Sequence, residues 1–290
     1  MGRSGHETSL RRSVALPGHW TRTLVLAIAG LIALGYASQV FRSLHVDFPG
    51  LDSLERLFYY DLEANVPTWF SSILLFLCAE RAWRVASAAR ACGDRWHRHW
   101  RGLAVIFAYL SLDELVQLHE QVVVPLRAAL TLDGALRFAW VVIAVPLVVV
   151  FAVVYLRFLV AQPLWTRVAF VVSGVVYVGA AAGMELIGGL VVTAFGFQNL
   201  LYATASAVEE GAEMLGAVLF LGALTTSLAR MQRRAAATTA SASATDHSDG
   251  PLPSPDTRDG TPEEANERTD PGRLLSSGAG GPVGEPARSP

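Results

Sequence analysis

The sequence predicts an all-α polytopic membrane protein: a bundle of six transmembrane helices with both termini cytoplasmic. Three observations carry that expectation. Of 290 residues 52% are apolar and only 17% charged, and mean hydropathy is +0.38, a balance few soluble folds show. Nearly uncharged windows of about 19 residues recur along the N-terminal four-fifths of the chain, the length a helix needs to cross a hydrocarbon core of ~30 Å. The arginines, which make up all 23 basic residues, gather in alternate connections, and short basic loops stay on the cytoplasmic side.

A first segment, residues 1–22, carries Arg3, Arg11, Arg12 and Arg22 and is expected in the cytoplasm. The transmembrane domain is expected over residues 23–230. Its first span is placed at 23–41. The following loop holds five acids against Arg42 and Arg56, as suits the outer side. The second span, 67–88, opens on Pro67, a residue favoured in the first turn of a helix, and ends with the i, i+4 pair Glu80 and Arg84. Arg81, Arg84, Arg90, Arg95, Arg98 and Arg101 mark the next connection as cytoplasmic. Spans at 102–121, 138–160, 167–192 and 204–228 follow, and Arg230, Arg233 and Arg234 close the last on the inner side. Trp69 and Trp140 fall at expected outer ends and Trp83, Trp100 and Trp165 at inner ends, where amphipathic rings settle in the headgroup layer. His45, His97 and His99 fall in loops and are expected to be solvated.

Residues 235–290 hold nine acids, four arginines and scarcely a large apolar side chain. Such a segment cannot bury enough surface to offset its ordering entropy, so a disordered acidic cytoplasmic tail is expected. Cys78 and Cys92 imply no disulfide framework.

The chemistry lies in acids placed inside the spans. With the third helix running outward, Asp113 and Glu114 lie past its middle and His119 and Glu120 near its outer end. Glu185 in the fifth lies about 10 Å below the outer end at ~1.5 Å per residue. Glu209, Glu210 and Glu213 occupy the first turns of the sixth, and Asp61, Glu63 and Asn65 stand at the outer mouth of the second. All these residues share one layer near the outer face. On a straight helix Asp113, Gln117 and Glu120 face one way and His119 points roughly 120° from Asp113, which sets the imidazole apart from the carboxylates. Gly216, Gly188 and Gly189 let other backbones approach closely.

Carboxylates gathered at that depth cannot all remain ionised and unpaired, since each charge costs several kcal/mol there. A divalent metal ion (Ca²⁺, Mg²⁺, Mn²⁺ or Zn²⁺) would compensate them, with Glu114, Glu120, Glu185, Glu209, Glu210 and Glu213 as ligands and Asp113 and His119 as catalytic residues. The stretch Asp61-Leu62-Glu63-Ala64-Asn65 with Trp69, followed by Ser111, Asp113 and His119, resembles the acidic calcium-binding entry and Ser/Asp/His helix of alkaline-ceramidase membrane hydrolases. The likeness covers a small part of the chain, its spacings differ, and that family's late His-x-x-x-His pair has Glu209 and Glu213 in its place. It implies metal-dependent hydrolysis of a lipid or lipid-linked bond, with membrane lipids as surroundings, a lipid or small molecule as substrate, and no nucleic acid as partner. Two other classes fit the same acids: a proton- or cation-coupled transporter, and a scaffold or receptor whose polar network only fixes helix packing. The absence of inward-half acids and of an internal repeat favours a site over a conduit.

Overall fold

The computed structural model describes residues 18–62 and 64–248, and Glu63 of the expected outer mouth lies outside them. Among the described residues the chain is helical with no strand. Helix α1 spans Gly18–Ser43, α2 Leu51–Phe58, α3 Val66–Ala91, α4 His97–Val116 and α5 Glu120–Leu130. After a short 3₁₀ turn at Gly134–Leu136 come α6, Val141–Ala161, and α7, Leu164–Val178. A π-helical segment, Gly179–Met184, leads into α8, Glu185–Phe195, and α9 runs over Leu200–Ser248.

Four stretches are long and apolar enough to cross a membrane: His19–Ser43, Val141–Ala161, Leu164–Phe195 and Leu200–Ala237. A fifth is added if α4 and α5 count as one broken span. This is the architecture of a membrane protein. Helix α3 has the length but is not among them, and it carries Glu80, Arg81, Arg84 and Arg90 in its second half.

Each element follows from local chemistry. Asn65 caps α3, its Oδ1 accepting from the backbone N–H of Thr68 at 3.1 Å, and Pro67 occupies the first turn, as expected of these residues at a helix start. Helix α2 turns Leu51 inward and Asp52 and Arg56 to solvent, and Arg42 at the end of α1 bridges to its Asp52 and Glu55. Glu80 pairs with Arg84 and Arg81. Both cysteines are free.

The third span departs from the straight helix at 102–121. Helix α4 stops at Val116, Gln117 takes a left-handed conformation (φ 59°), and α5 leaves at 81° to α4. No Gly or Pro announces this break. Asp113 supplies its local reason: its Oδ1 accepts from the backbone N–H of His119 at 2.9 Å. The side chain thereby replaces a backbone acceptor and offers the chain an alternative to helix.

Helix α9 is the spine, packing against α1, α3, α7, the π segment and α8. Where it crosses α7, a β-carbon on Gly216 would lie 2.9 Å from the backbone nitrogen of Tyr177. One on Gly189 would lie 2.6 Å from the carbonyl oxygen of Gly134. Both glycines thus permit the close approaches expected of them. The largest apolar cluster joins Val85, Ala86, Trp100, Phe158, Phe170 and Leu224 at the arginine-rich end of the bundle. A smaller one, with Ile28, Leu74, Leu75, Met214 and Val218, fills the middle. His99 belongs to the first cluster rather than to solvent, its ring stacked on Phe158 and edge-on to Trp96 and Tyr155. Helix α6 presents nearly all of its surface outward, only 11% of its apolar window being buried, as a helix against lipid does.

At its far end α9 continues past residue 235, where the tail was expected to begin, through Ser248. Ala235, Ala236 and Ala237 are strong helix formers and favour its continuation. Residues 249–290 lie outside the described residues.

Candidate carboxylate site

The break after Val116 brings the imidazole of His119 back onto Asp113, with Nδ1 2.9 Å from Asp113 Oδ2. The straight-helix expectation that these residues diverge is therefore wrong, because the polypeptide turns between them. Asp113 holds both the main chain and the ring of His119. The other ring nitrogen, Nε2, is 3.8 Å from Glu120 Oε1.

Trp140 connects this pair to the glutamates. Its ring lies edge-on to His119 with centroids 5.3 Å apart, and its Nε1 donates to Glu185 Oε1 at 2.9 Å. The Glu185 carboxyl is in turn within hydrogen-bonding reach of Glu209. The π segment leads directly into Glu185. Such segments insert an extra residue per turn and recur at functional sites.

The remaining acids arrive from two helices and a loop. Glu114 of α4 accepts from the Ser71 hydroxyl of α3. Glu213 of α9 accepts from Tyr177 of α7. Glu210 lies near Glu114, Glu213, Asp61 and Glu185. Asp61, in the loop before α3, accepts from Tyr202 Oη at 2.6 Å and Ser206 Oγ at 3.0 Å, which ties the mouth of α3 to α9. Burial pushes the Asp61 carboxyl above its ordinary range, and hydroxyl donors from Tyr202, Ser206 and Tyr59 oppose the shift. Eight of the expected acids thus stand together: Asp61, Asp113, Glu114, Glu120, Glu185, Glu209, Glu210 and Glu213.

Two expected residues have structural employment instead. Asn65 is the α3 cap, and its Nδ2 donates to the Tyr59 carbonyl at 2.7 Å. Ser111 and Ser72 clasp α4 to α3, each hydroxyl donating to the other's carbonyl at 2.8–2.9 Å. Trp140, Ser71, Tyr177 and Tyr202 join the site although nothing marked them as members. Trp140 reads equally well as an interfacial ring, and the other three are polar positions without a spacing signal.

Among the described residues no three His, Cys, Asp or Glu side chains are grouped so that they could hold a metal ion as they stand. The ion pairs of the described arginines lie elsewhere, at Arg42, Arg81, Arg84 and Arg137. Among the described residues no arginine forms an ion pair with the glutamates of the site.

Residues 23–228 match the model of a domain of unknown function, DUF8692, and the chain belongs to that family. No curated protein and no solved structure matches it. The matched range takes in every helix that supplies an acid to the site.

Proposed function

We propose that the chain crosses the cell membrane six times with both termini cytoplasmic, and that its carboxylate cluster holds a divalent metal ion on the outer side for hydrolysis of a lipid or lipid-linked bond. The observation that carries this reading is the abutting of Glu185 and Glu209, with Glu114, Glu210 and Glu213 close by and, among the described residues, no arginine paired with any of them. Two carboxyls in contact in a low-dielectric interior need a shared cation or a retained proton. Glutamates projecting from separate helices, here α4, α8 and α9, are how carboxylate bundles build metal sites, there together with Glu-x-x-His pairs that this chain lacks. Binding would require the glutamates to turn from their present partners onto one ion.

A divalent ion would supply the positive charge and Lewis acidity that the cluster lacks. The Asp113–His119 pair supplies the base. With Nδ1 directed at the carboxylate, Nε2 is the nitrogen that takes a proton, and Asp113 both orients the ring and stabilises its charged form. Trp140 holds that ring against the glutamates, so base and cluster act on one volume.

A second reading has its own support, because one proton between Glu185 and Glu209 would satisfy the same contact, as a proton-coupled transporter requires. The apolar plug of Trp100, Phe158, Phe170 and Leu224 speaks against it, since it closes the opposite half of the bundle to water. Elemental analysis of protein purified in mild detergent separates the two. The metal reading expects near-stoichiometric divalent metal that is lost in Glu209→Gln. Metal-free wild type that takes up none of the four candidate ions, together with proton flux in proteoliposomes, would replace it with the transporter.

A further inference from the structure

Helices α3 and α4 pack side by side, and each turns a stripe of large side chains outward. On α3, Trp69, Phe76 and Trp83 recur every seven residues, which places them on one face, and all three are 53–60% exposed. On α4, Val105, Tyr109 and Leu112 share a face by their i, i+4, i+7 spacing and are 51–62% exposed.

Both stripes end in arginines. Arg90 follows Trp83 by seven residues on the α3 face, and Arg101 and Arg98 precede Val105 by four and seven on the α4 face. The guanidinium of Arg101 lies over the Trp83 ring, 5.6 Å from its centroid, and so joins the two stripes at this level. Residues 80–101 hold six arginines and two acids, and both acids are engaged. Glu80 pairs with Arg81 and Arg84, and Asp94 Oδ1 accepts from the backbone N–H of Trp96 at 2.8 Å. Among the described residues Arg90, Arg98 and Arg101 form no ion pair, and none of the three is buried.

Unpaired guanidiniums above an exposed apolar strip are complementary to an amphipathic anion. A soluble polyanion would meet the arginines and leave Phe76 and Val105 uncovered, whereas a zwitterionic lipid would cover the strip and leave the net charge unmatched. We propose that the α3–α4 edge seats an anionic glycerophospholipid, its phosphate among Arg90, Arg98 and Arg101 and its acyl chain along Trp83, Phe76 and Val105. Guanidinium groups bind phosphate oxygens through paired N–H donors, and an indole ring such as that of Trp83 suits the boundary between headgroup and chain. From Arg90 to Phe76 the edge runs roughly 21 Å at ~1.5 Å per residue, close to the depth of one leaflet, headgroups included, at about 20 Å. The seat needs α3 and α4 against lipid, so it rests on the six-crossing part of the reading above; the carboxylate cluster plays no part in it.

The test uses the full chain in phosphatidylcholine vesicles containing, at the same low mole fraction, either a phosphatidylglycerol or a phosphatidylcholine probe with a diazirine in mid-chain. Crosslinks are mapped by peptide mass spectrometry. At Phe76–Trp83 and Gly102–Tyr109 the ratio of phosphatidylglycerol to phosphatidylcholine labelling is expected to exceed the ratio on the outward face of α6, around Val149 and Val153, by about ten-fold. Arg101→Gln should lower it by about five-fold, the worth of one arginine beside an anionic headgroup. Arg157→Gln, which removes an exposed arginine from α6, should leave it unchanged. Equal ratios on the two faces, or a loss in Arg157→Gln as large as that in Arg101→Gln, would overturn the proposal, the latter by reducing it to a general surface field. Equal labelling of the edge by both probes would remove the seat and keep α3 against lipid. Labelling of α6 but of neither α3 nor α4 by either probe would remove the seat and the crossing of α3 together.

Discussion

Trp140 is the residue through which the two halves of the site meet. Trp140→Phe keeps the ring against His119 and removes only the hydrogen bond to Glu185. If Glu185 is a ligand, loss of that outer support should weaken Mn²⁺ binding by about 10- to 100-fold, while the lost hydrogen bond lowers stability by only about 1 kcal/mol. Metal titration and thermal unfolding of the same preparation read the two effects apart, and an unchanged affinity would remove Glu185 from the ligand set. Asp61 offers a pH signature outside the spans. Its folded carboxyl lies above the ordinary value through burial, so the folded protein binds this proton more tightly than the unfolded chain. The stability it brings is fully present below the unfolded value and is lost as pH rises through the raised one. Asp61→Asn, which keeps an acceptor for Tyr202 and Ser206, should flatten the melting-temperature profile above the ordinary carboxylate range, where that proton is lost; an identical slope in both proteins would contradict the assignment. The acids themselves were legible as charges where charges are costly. Their partners were not: Ser71, Tyr177 and Tyr202 each meet an acid distant in sequence, and no local spacing encodes such a pairing.

At the scale of elements, the break between α4 and α5 shows where periodicity fails. No Gly or Pro stands at residues 112–120, and Gln117 is no turn residue, yet Asp113 captures the His119 amide and the helix ends. A side chain competing with a backbone carbonyl leaves no mark in an apolar pattern, so straight-helix geometry sets His119 apart from Asp113 where the folded chain pairs them. Gln117→Gly should be tolerated or slightly stabilising, because glycine adopts positive φ without strain. Gln117→Val should cost about 1–2 kcal/mol and loosen His119 from Asp113, observable as a changed imidazole titration by NMR. The α7–α9 crossing is the opposite case, since Gly216 was readable as a close approach and is one. Gly216→Leu should destabilise by about 1–3 kcal/mol through overpacking against Tyr177, measured as thermal unfolding in detergent. Wild-type stability in that variant would mean the two helices are free to separate.

Across the whole molecule, the loops and apolar stretches fixed the helix order, while the number of crossings rests on α3 and on the α4–α5 pair. Helix α3 is only modestly apolar, and it is held between α4 and α9, which lets neighbours rather than lipid satisfy its polar groups. Six crossings place the N-terminal arginines and Arg230, Arg233 and Arg234 on the same side. Reporter fusions before residue 18 and after residue 234 should therefore both report the cytoplasm, and opposite sides would require an odd number of spans. Within this frame the acids gather toward one face, and an apolar plug fills the other, the arrangement of a site entered from one side. On the proposed metal reading the cluster takes a cation, and its binding should stabilise the fold as it neutralises the acids. Thermal unfolding of detergent-purified protein, stripped with chelator and titrated with Mn²⁺, measures this directly. The wild type should gain about 2.7 kcal/mol at a hundred-fold excess over Kd, and Glu185→Gln and Glu209→Gln should gain little. A melting temperature indifferent to Mn²⁺, Mg²⁺, Ca²⁺ and Zn²⁺ in the wild type, or an equal gain in the glutamine variants, would contradict the metal site.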